Sequence, residues 1–214
     1  MSRGFIITGT DTDVGKTVFA AALAGALDAC YFKPVQAGLD GDTDAGTTRR
    51  LSGLPAERIL PEAYRLALPA SPHWAAEAEG VRIDPSALVL PQTERPLIVE
   101  GAGGPLVPLD RRTLFADVFA RWGLPVIVCA RTGLGTISHS LMAIEALRAR
   151  GIRVHGVAFI GDAAEDAEAI IAEIAGVRRL GRLPRLPVLT ADTLRIAFAR
   201  AFRRADFSLE GPRP

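Results

Sequence analysis

Residues 4 to 27 run without a break from a short apolar strand, GFIITGT, through the turn GTDTDVGKTV at 9–18 into the apolar helical stretch KTVFAAALAGAL. Gly15, Lys16 and Thr17 match the G-K-[ST] end of a phosphate-binding loop. In such a loop backbone N–H groups wrap a phosphate, the lysine reaches the terminal phosphates and the hydroxyl ligates magnesium. A G-K-T triplet alone is a weak signal, but in the first turn between a strand and a helix it outweighs a merely structural turn. The usual first glycine of the motif falls on Thr10, with Gly9 one place earlier, so the match is incomplete. Lys16 suits this loop because a compact ammonium on a flexible stem fits where a guanidinium fork does not.

Apolar runs of strand type recur along the chain, each ending in Gly, Pro or a polar residue: ACYFKPV, PLIVEGAGG, LPVIVCART and VHGVAFIGD. Continuous apolar runs suit strands covered on both faces. Helical stretches lie between and after them, HSLMAIEALRARG, AEDAEAIIAEIAG and TADTLRIAFARAF, the last placing Leu194, Phe198 and Phe202 on one face. The alternation predicts an α/β fold, a three-layer α/β/α arrangement with a mostly parallel, doubly wound sheet of the P-loop NTPase type, formed as a single domain over residues 1–214. Residues 52 to 95 are less regular: Pro55, Pro61, Pro69, Pro72, Pro85, Pro91 and Pro96 bracket or interrupt them, so loops and short helices are expected there. The final SLEGPRP is expected to fray.

In an open parallel sheet, ligands collect outside the carboxyl ends of the strands. LIVEGAGG ends a strand with Glu100, followed by Gly101, Ala102, Gly103 and Gly104. A carboxylate at the tip of a buried strand is costly unless it faces a cation, and a magnesium ion carried by a nucleotide would supply one. The dinucleotide reading of G-A-G-G is weaker, since no helix with a third glycine follows. After the second strand, DGDTDAGTT holds Asp40, Asp42 and Asp44; two of the three read as helix-capping residues and one as a carboxylate reaching the metal. After PVIVCA, the turn RTGLGTISHS puts Gly133 and Gly135 ahead of a helix, whose free N–H groups attract an anion such as a carboxylate. Ser138 and His139 are neighbours that would not face each other on a helix, and no G-x-S-x-G elbow is present, which argues against a hydrolase.

Of 25 basic side chains only two are lysines, Lys16 and Lys33. Lys33 closes the second strand just before Pro34, on the same sheet edge as the phosphate loop, so both converge on one expected site. In a chain that otherwise uses arginine for positive charge, a retained lysine reads as a cation touching the terminal phosphate and an acceptor in a space too small for a guanidinium. The net charge of +1 and the interspersed acidic residues give no basic patch for nucleic acid or an acidic membrane. Cys30 and Cys129 sit in apolar runs at a spacing that makes no metal or redox motif. With no signal-peptide core at the N-terminus and no apolar run long enough to span a bilayer, a cytoplasmic location is expected.

Together TGTDTDVGKT, YFKPVQAG, PASPH at 69–73, VEGAGG and LGTISH, in that order over most of residues 4 to 140, resemble the dethiobiotin synthetase family. The resemblance implies a homodimer of P-loop subunits acting on 7,8-diaminononanoate, CO2 and MgATP to give dethiobiotin, ADP and phosphate. It implies that Asp13, Val14, Gly15, Lys16, Thr17 and Val18 wrap the phosphates with Gly101, Ala102 and Gly103 nearby, and that Thr17, Asp44 and Glu100 surround magnesium. Thr12 and Lys33 would sit beside a carbamate formed on the substrate, and Gly135, Thr136, Ile137 and Ser138 would take the substrate carboxylate across the dimer interface. Lys33, Lys16 and Thr12 are the candidate catalytic residues. The sequence departs from the family at Ala37, where a hydroxyl contact to substrate is usual. It departs again at Ile160, Gly161 and Asp162, where many members carry an Asn-Asp pair. Gly161, Asp162 and the positional match Pro184, Arg185 and Leu186 are the candidate base-binding residues. The rivals are a partition-type switch ATPase, disfavoured by Asp11 where those proteins carry a second lysine, and a related amide- or lactam-forming synthetase.

Overall fold

The structure, a computed structural model, describes residues 3–208; Met1, Ser2 and residues 209–214, which hold all but the first residue of the SLEGPRP tail, lie outside the described residues. In chain order the strands are β1 (Gly4–Gly9), β2 (Cys30–Phe32), β3 (Val35–Ala37), β4 (Ile59–Leu60), β5 (Tyr64–Leu66), β6 (Leu97–Glu100), β7 (Val126–Arg131), β8 (Val154–Ile160) and β9 (Arg179–Leu183). The helices are α1 (Lys16–Leu27), α2 (Asp44–Ser52), α3 (Pro72–Ala78), α4 (Phe115–Trp122), α5 (Thr136–Arg148), α6 (Glu165–Ala175) and α7 (Ala191–Ala201). Seven strands form one sheet in the order β4-β2-β6-β1-β7-β8-β9, every neighbouring pair parallel. β1 lies at its centre and is buried along its whole length.

The apolar runs are continuous because each face of the sheet has its own cover. One core joins Ile6, Leu97, Val99, Val126 and Val128 to Phe115 and Phe119 of α4, Ile144 and Leu147 of α5 and Ile171 of α6. The other joins Phe5, Ile7, Tyr31, Ile98 and Ile127 to Phe19 and Leu23 of α1 and to the predicted α7 stripe of Leu194, Phe198 and Phe202. Alternate residues of each strand feed opposite cores, as the two-residue period of a strand requires.

Three expectations are revised. The run ACYFKPV is not one strand: β2 stops at Phe32, and after Lys33 and Pro34 the chain starts β3, which pairs in parallel with β5 in a separate two-stranded sheet. Pro34 has no N–H to give a ladder and fixes its own φ, so the chain leaves the large sheet there. The proline-rich middle holds β4 and β5 as well as α3 and short 3-10 turns at 56–58 and 85–87. The helix after DGDT is capped by Thr43, whose hydroxyl accepts from Gly46 N at 3.1 Å, and neither Asp40 nor Asp42 caps it; Asp42 instead pairs with Arg50 at 2.6 Å.

Candidate active site

The phosphate loop is pinned to the glycine-rich segment after β6 and to β7: Gly9 N donates to Gly103 O at 3.1 Å and Thr10 N donates to Cys129 O at 2.9 Å. Gly9, not residue 10, carries the tight approach, because a Cβ there would lie 2.8 Å from Asp11 O and 2.8 Å from Val14 Cγ2. Gly15 takes φ +92°, a left-handed conformation that strains any other residue, and a Cβ on it would meet Ile160 Cγ2 at 2.9 Å. No side chain caps α1, so acceptors for its first N–H groups must come from a ligand or solvent. Lys16 folds back over the loop, its Nζ donating to Asp11 O at 3.1 Å, and burial lowers its pKa from the ordinary lysine value.

The register of β2 and β6, in which Phe32 lies beside Val99, brings Lys33 next to Glu100 just beyond the paired residues. Lys33 is 3 % exposed and Glu100 fully buried. Lys33 Nζ lies 2.5 Å from Asp44 Oδ2 and 3.3 Å from Glu100 Oε1, and donates to Gly101 O at 3.0 Å. Thr17 Oγ1 lies within hydrogen-bond distance of Asp44 Oδ1 (3.0 Å) and Glu100 Oε1 (2.7 Å). The far oxygen of Glu100 accepts from Tyr31 OH at 2.8 Å. Burial alone would lower the Lys33 pKa, but the Glu100 and Asp44 carboxylates beside it hold the ammonium above its ordinary value. Burial alone would raise Asp44, and the same ammonium holds its carboxyl below the usual range. The Tyr31 hydroxyl, buried and facing Glu100, is pushed well above the ordinary phenol value, which keeps it a donor.

These groups open onto a cavity of about 740 Å³. Thr12, Asp13, Gly15, Lys16, Thr17, Val18, Lys33, Ala37, Asp44, Glu100, Ala102 and Gly103, all anticipated from sequence, line it. Val14 turns into the core, and Gly101 meets the site through its carbonyl. The other candidates lie elsewhere. Asp162 and Arg185 are exposed and face each other at 3.8 Å, and a Cβ on Gly161 would meet Thr132 Oγ1 at 2.4 Å. Pro184 and Leu186 line a separate cavity of about 400 Å³ against α7. Gly135 caps α5 at φ +89°, with Thr136 buried behind it and Ile137 and Ser138 exposed.

Sequence reading missed three contributors. Gln36 Oε1 accepts from Asp44 N at 3.1 Å while its amide group donates to Ala37 O and Gly38 O, which fixes the start of α2 beside Lys33. A buried polar residue inside the run PVQAG was the available signal. Pro69, Ala70, Ser71 and Pro72 form a cavity wall, so part of the proline-rich middle shapes the site. Tyr31 gave no signal, being one more large side chain in a core strand.

A parallel sheet with a glycine loop at the end of its central strand and two buried lysines over acidic oxygens defines a P-loop nucleotide-binding α/β protein. The fold is shared with a ParA family ATPase from Chlorobium tepidum TLS (TM-score 0.56, 14 % identity, covering 94 % of this chain and 98 % of that one). It is also shared with the Aquifex aeolicus MinC:MinD cell division complex (TM-score 0.52, 15 % identity, 92 % and 86 %). At such identities the likeness concerns fold alone. An AAA domain family model matches residues 3–193. The chain is 64 % identical over 210 residues to the ATP-dependent dethiobiotin synthetase of Rhodopseudomonas palustris strain BisB5, covering 98 % of this chain and 99 % of that protein. It is 61 % identical over 212 residues to the one of Nitrobacter hamburgensis, covering 99 % and 100 %. The chain belongs to the dethiobiotin synthetase family, and the similarity runs through the C-terminal third, beyond the motifs at 4 to 140.

Proposed function

We propose that the chain is an ATP-dependent ligase of biotin biosynthesis that carboxylates 7,8-diaminononanoate with CO2 and closes the ureido ring, releasing dethiobiotin, ADP and phosphate. The observation that carries this reading is the meeting of the chain's two lysines, over Thr17, Asp44 and Glu100, in one cavity beside the phosphate loop.

The residues fit a magnesium ion. Two carboxylates and a hydroxyl converge on one side of the cavity, an oxygen-rich set of the hard-ligand kind that magnesium takes. Among the described residues no group of three or more His, Cys, Asp or Glu could hold a metal unaided. That suits an ion which binds through one or two carboxylates and brings its other ligands as water and nucleotide phosphate. Thr17, Asp44 and Glu100 would hold it, and when bound it would neutralise charge on the β- and γ-phosphates.

Lys16 and the loop N–H groups hold the phosphates in place. Lys33, with Thr12 at the cavity mouth, steadies the carbamate formed when CO2 adds to a neutral substrate amine, so that its oxygen faces the γ-phosphate. That oxygen takes the γ-phosphoryl group as ADP leaves, and the second amine of the same substrate then attacks the carbonyl of the resulting mixed anhydride, loses its proton and expels phosphate as the ring closes; no protein nucleophile is required. Such ring closure gains an effective molarity on the order of 10⁵ M or more from positioning alone. The base would be met near Gly161, Asp162, Pro184, Arg185 and Leu186.

A homodimer is part of this reading. It is supported by the apolar exposure around the start of α5, where Leu134 is fully exposed and Ile137 and Met142 are partly so, next to the turn proposed to take the substrate carboxylate. So is a cytoplasmic location, supported by two buried, unpaired cysteines.

The test is incubation with MgATP, bicarbonate and 7,8-diaminononanoate. ADP together with a cyclic urea by mass spectrometry is the expected result; phosphate release that ignores the diamine would favour a switch ATPase instead. Light scattering at two concentrations tests the dimer, and a monomer at both would remove that part.

A further inference from the structure

The two oxygens of Glu100 have different partners. Oε1 meets Thr17 at 2.7 Å and Lys33 at 3.3 Å, and Oε2 accepts from the Tyr31 hydroxyl at 2.8 Å. Tyr31 has no exposed surface and does not line the cavity, so it reaches the carboxylate from behind. Tyr31 and Lys33 are two residues apart and lie on one face of the chain, as do Ile98 and Glu100 on the neighbouring strand, where Ile98 is the register partner of Tyr31. β2, through Tyr31, and the residue that follows it, Lys33, therefore grip the two oxygens of a single carboxylate at the end of β6.

We propose that Tyr31 is a positioning residue for the divalent ion: its hydroxyl fixes the plane of the Glu100 carboxylate, so that Oε1 alone is presented to the cavity beside Thr17. Tyr31 touches neither nucleotide nor acceptor and acts only through Glu100. Without that hydroxyl, Oε2 is a buried anionic oxygen with no donor, a costly arrangement. The group that relieves it is the Lys33 ammonium, already in contact with Oε1. The carboxylate then turns toward Lys33 with both oxygens, and Thr17 loses its shared partner. The Tyr31 hydroxyl thus decides whether Glu100 serves the metal or the lysine.

The proposal rests on the reading of Thr17, Asp44 and Glu100 as the metal's holders, and the experiment separates the two. Mn²⁺ is titrated into the full-length protein with a saturating non-hydrolysable ATP analogue, and bound ion is read by water-proton relaxation enhancement. In Tyr31→Phe the Mn²⁺ dissociation constant should rise about tenfold, the usual size of effect for removing a partner of a metal-ligating carboxylate. The KM for Mg²⁺ should rise while kcat at saturating Mg²⁺ stays within about threefold, and the metal-dependent rise in melting temperature should shrink whatever the variant's basal stability. Wild-type Mn²⁺ affinity in Tyr31→Phe, with binding lost in Glu100→Gln, would overturn the role of Tyr31 and leave the metal site standing. Unchanged binding in Glu100→Gln, or no binding by the wild type, would overturn both.

Discussion

Glu100 and Glu168 are equally hidden from solvent, yet they sit in opposite kinds of pocket. Glu168, on α6, is closed by arginines of β9: Arg179 donates to its Oε2 through Nε at 2.9 Å and a terminal nitrogen at 2.5 Å, and Arg182 Nε lies 2.8 Å from Oε1 as an ion pair short of hydrogen-bond geometry. Glu165 adds a second carboxylate to the same two arginines. Guanidinium groups cover both oxygens, and the backbone N–H of Ala164 donates to Oε1 at 3.3 Å, so the carboxylate is enclosed by protein. Glu100 has instead a point-charge ammonium and two hydroxyls, each on its own side, with a cavity in front. Burying a carboxylate is therefore not what makes a site: the shape of its counter-ion decides whether the charge is locked into the fold or left exchangeable.

Swapping counter-ions should break that contrast most visibly. Lys33→Arg keeps the charge but puts a planar fork where three contacts meet a compact ammonium. Turnover should fall by about 10²–10³-fold, the scale of losing one preorganised electrostatic contact, with binding of an ATP analogue within a few-fold of wild type; near-normal turnover would dissolve the distinction. Glu168→Gln should do the reverse, lowering stability to urea by about 2 kcal/mol through the loss of charge-assisted hydrogen bonds to a buried carboxylate, with Glu165 still pairing both arginines, while the specific activity of folded protein is kept. Arg179→Lys is the gentler version, with an expected loss of about 1 kcal/mol, since Arg182 remains and one fork's hydrogen bonding is reduced. Ala37→Ser adds a hydroxyl to the cavity wall and should lower the KM for the diamine by no more than about fivefold, a single hydrogen bond's worth. At the bottom of the scale, Asp42→Ala removes an exposed pair with Arg50 and should leave the midpoint of the same urea titration where it is in wild type.

The same contrast explains what could be read beforehand. Lys33 was legible because lysine is scarce in this chain, and the phosphate loop because its glycine, lysine and threonine fall between a strand and a helix. β9 was not legible: in RLGRL the arginines and glycine break the apolar run, and the carboxylate that makes burying them tolerable lies 11 residues earlier than Arg179. Local pattern carries no trace of a partner that distant. The break at Pro34 could have been drawn from the proline alone, whereas the pairing of β3 with β5 depends on a contact across the irregular middle. Of the groups around Glu100, Tyr31 is hidden for a different reason: a tyrosine in a core strand shows its ring to the reader and keeps its hydroxyl to itself.

Where Pro34 turns the chain out of the large sheet, the two ends of the cavity come to rest on separate ladders. The phosphate end hangs from β1 and β6, and the opposite wall, with Gln36, Ala37 and the segment from Pro69 to Pro72, is built on or next to the β3–β5 pair. The two frames are tied where Gln36 of β3 accepts from the backbone N–H of Asp44, so a shift of the smaller ladder would be passed to the acidic cluster around Lys33.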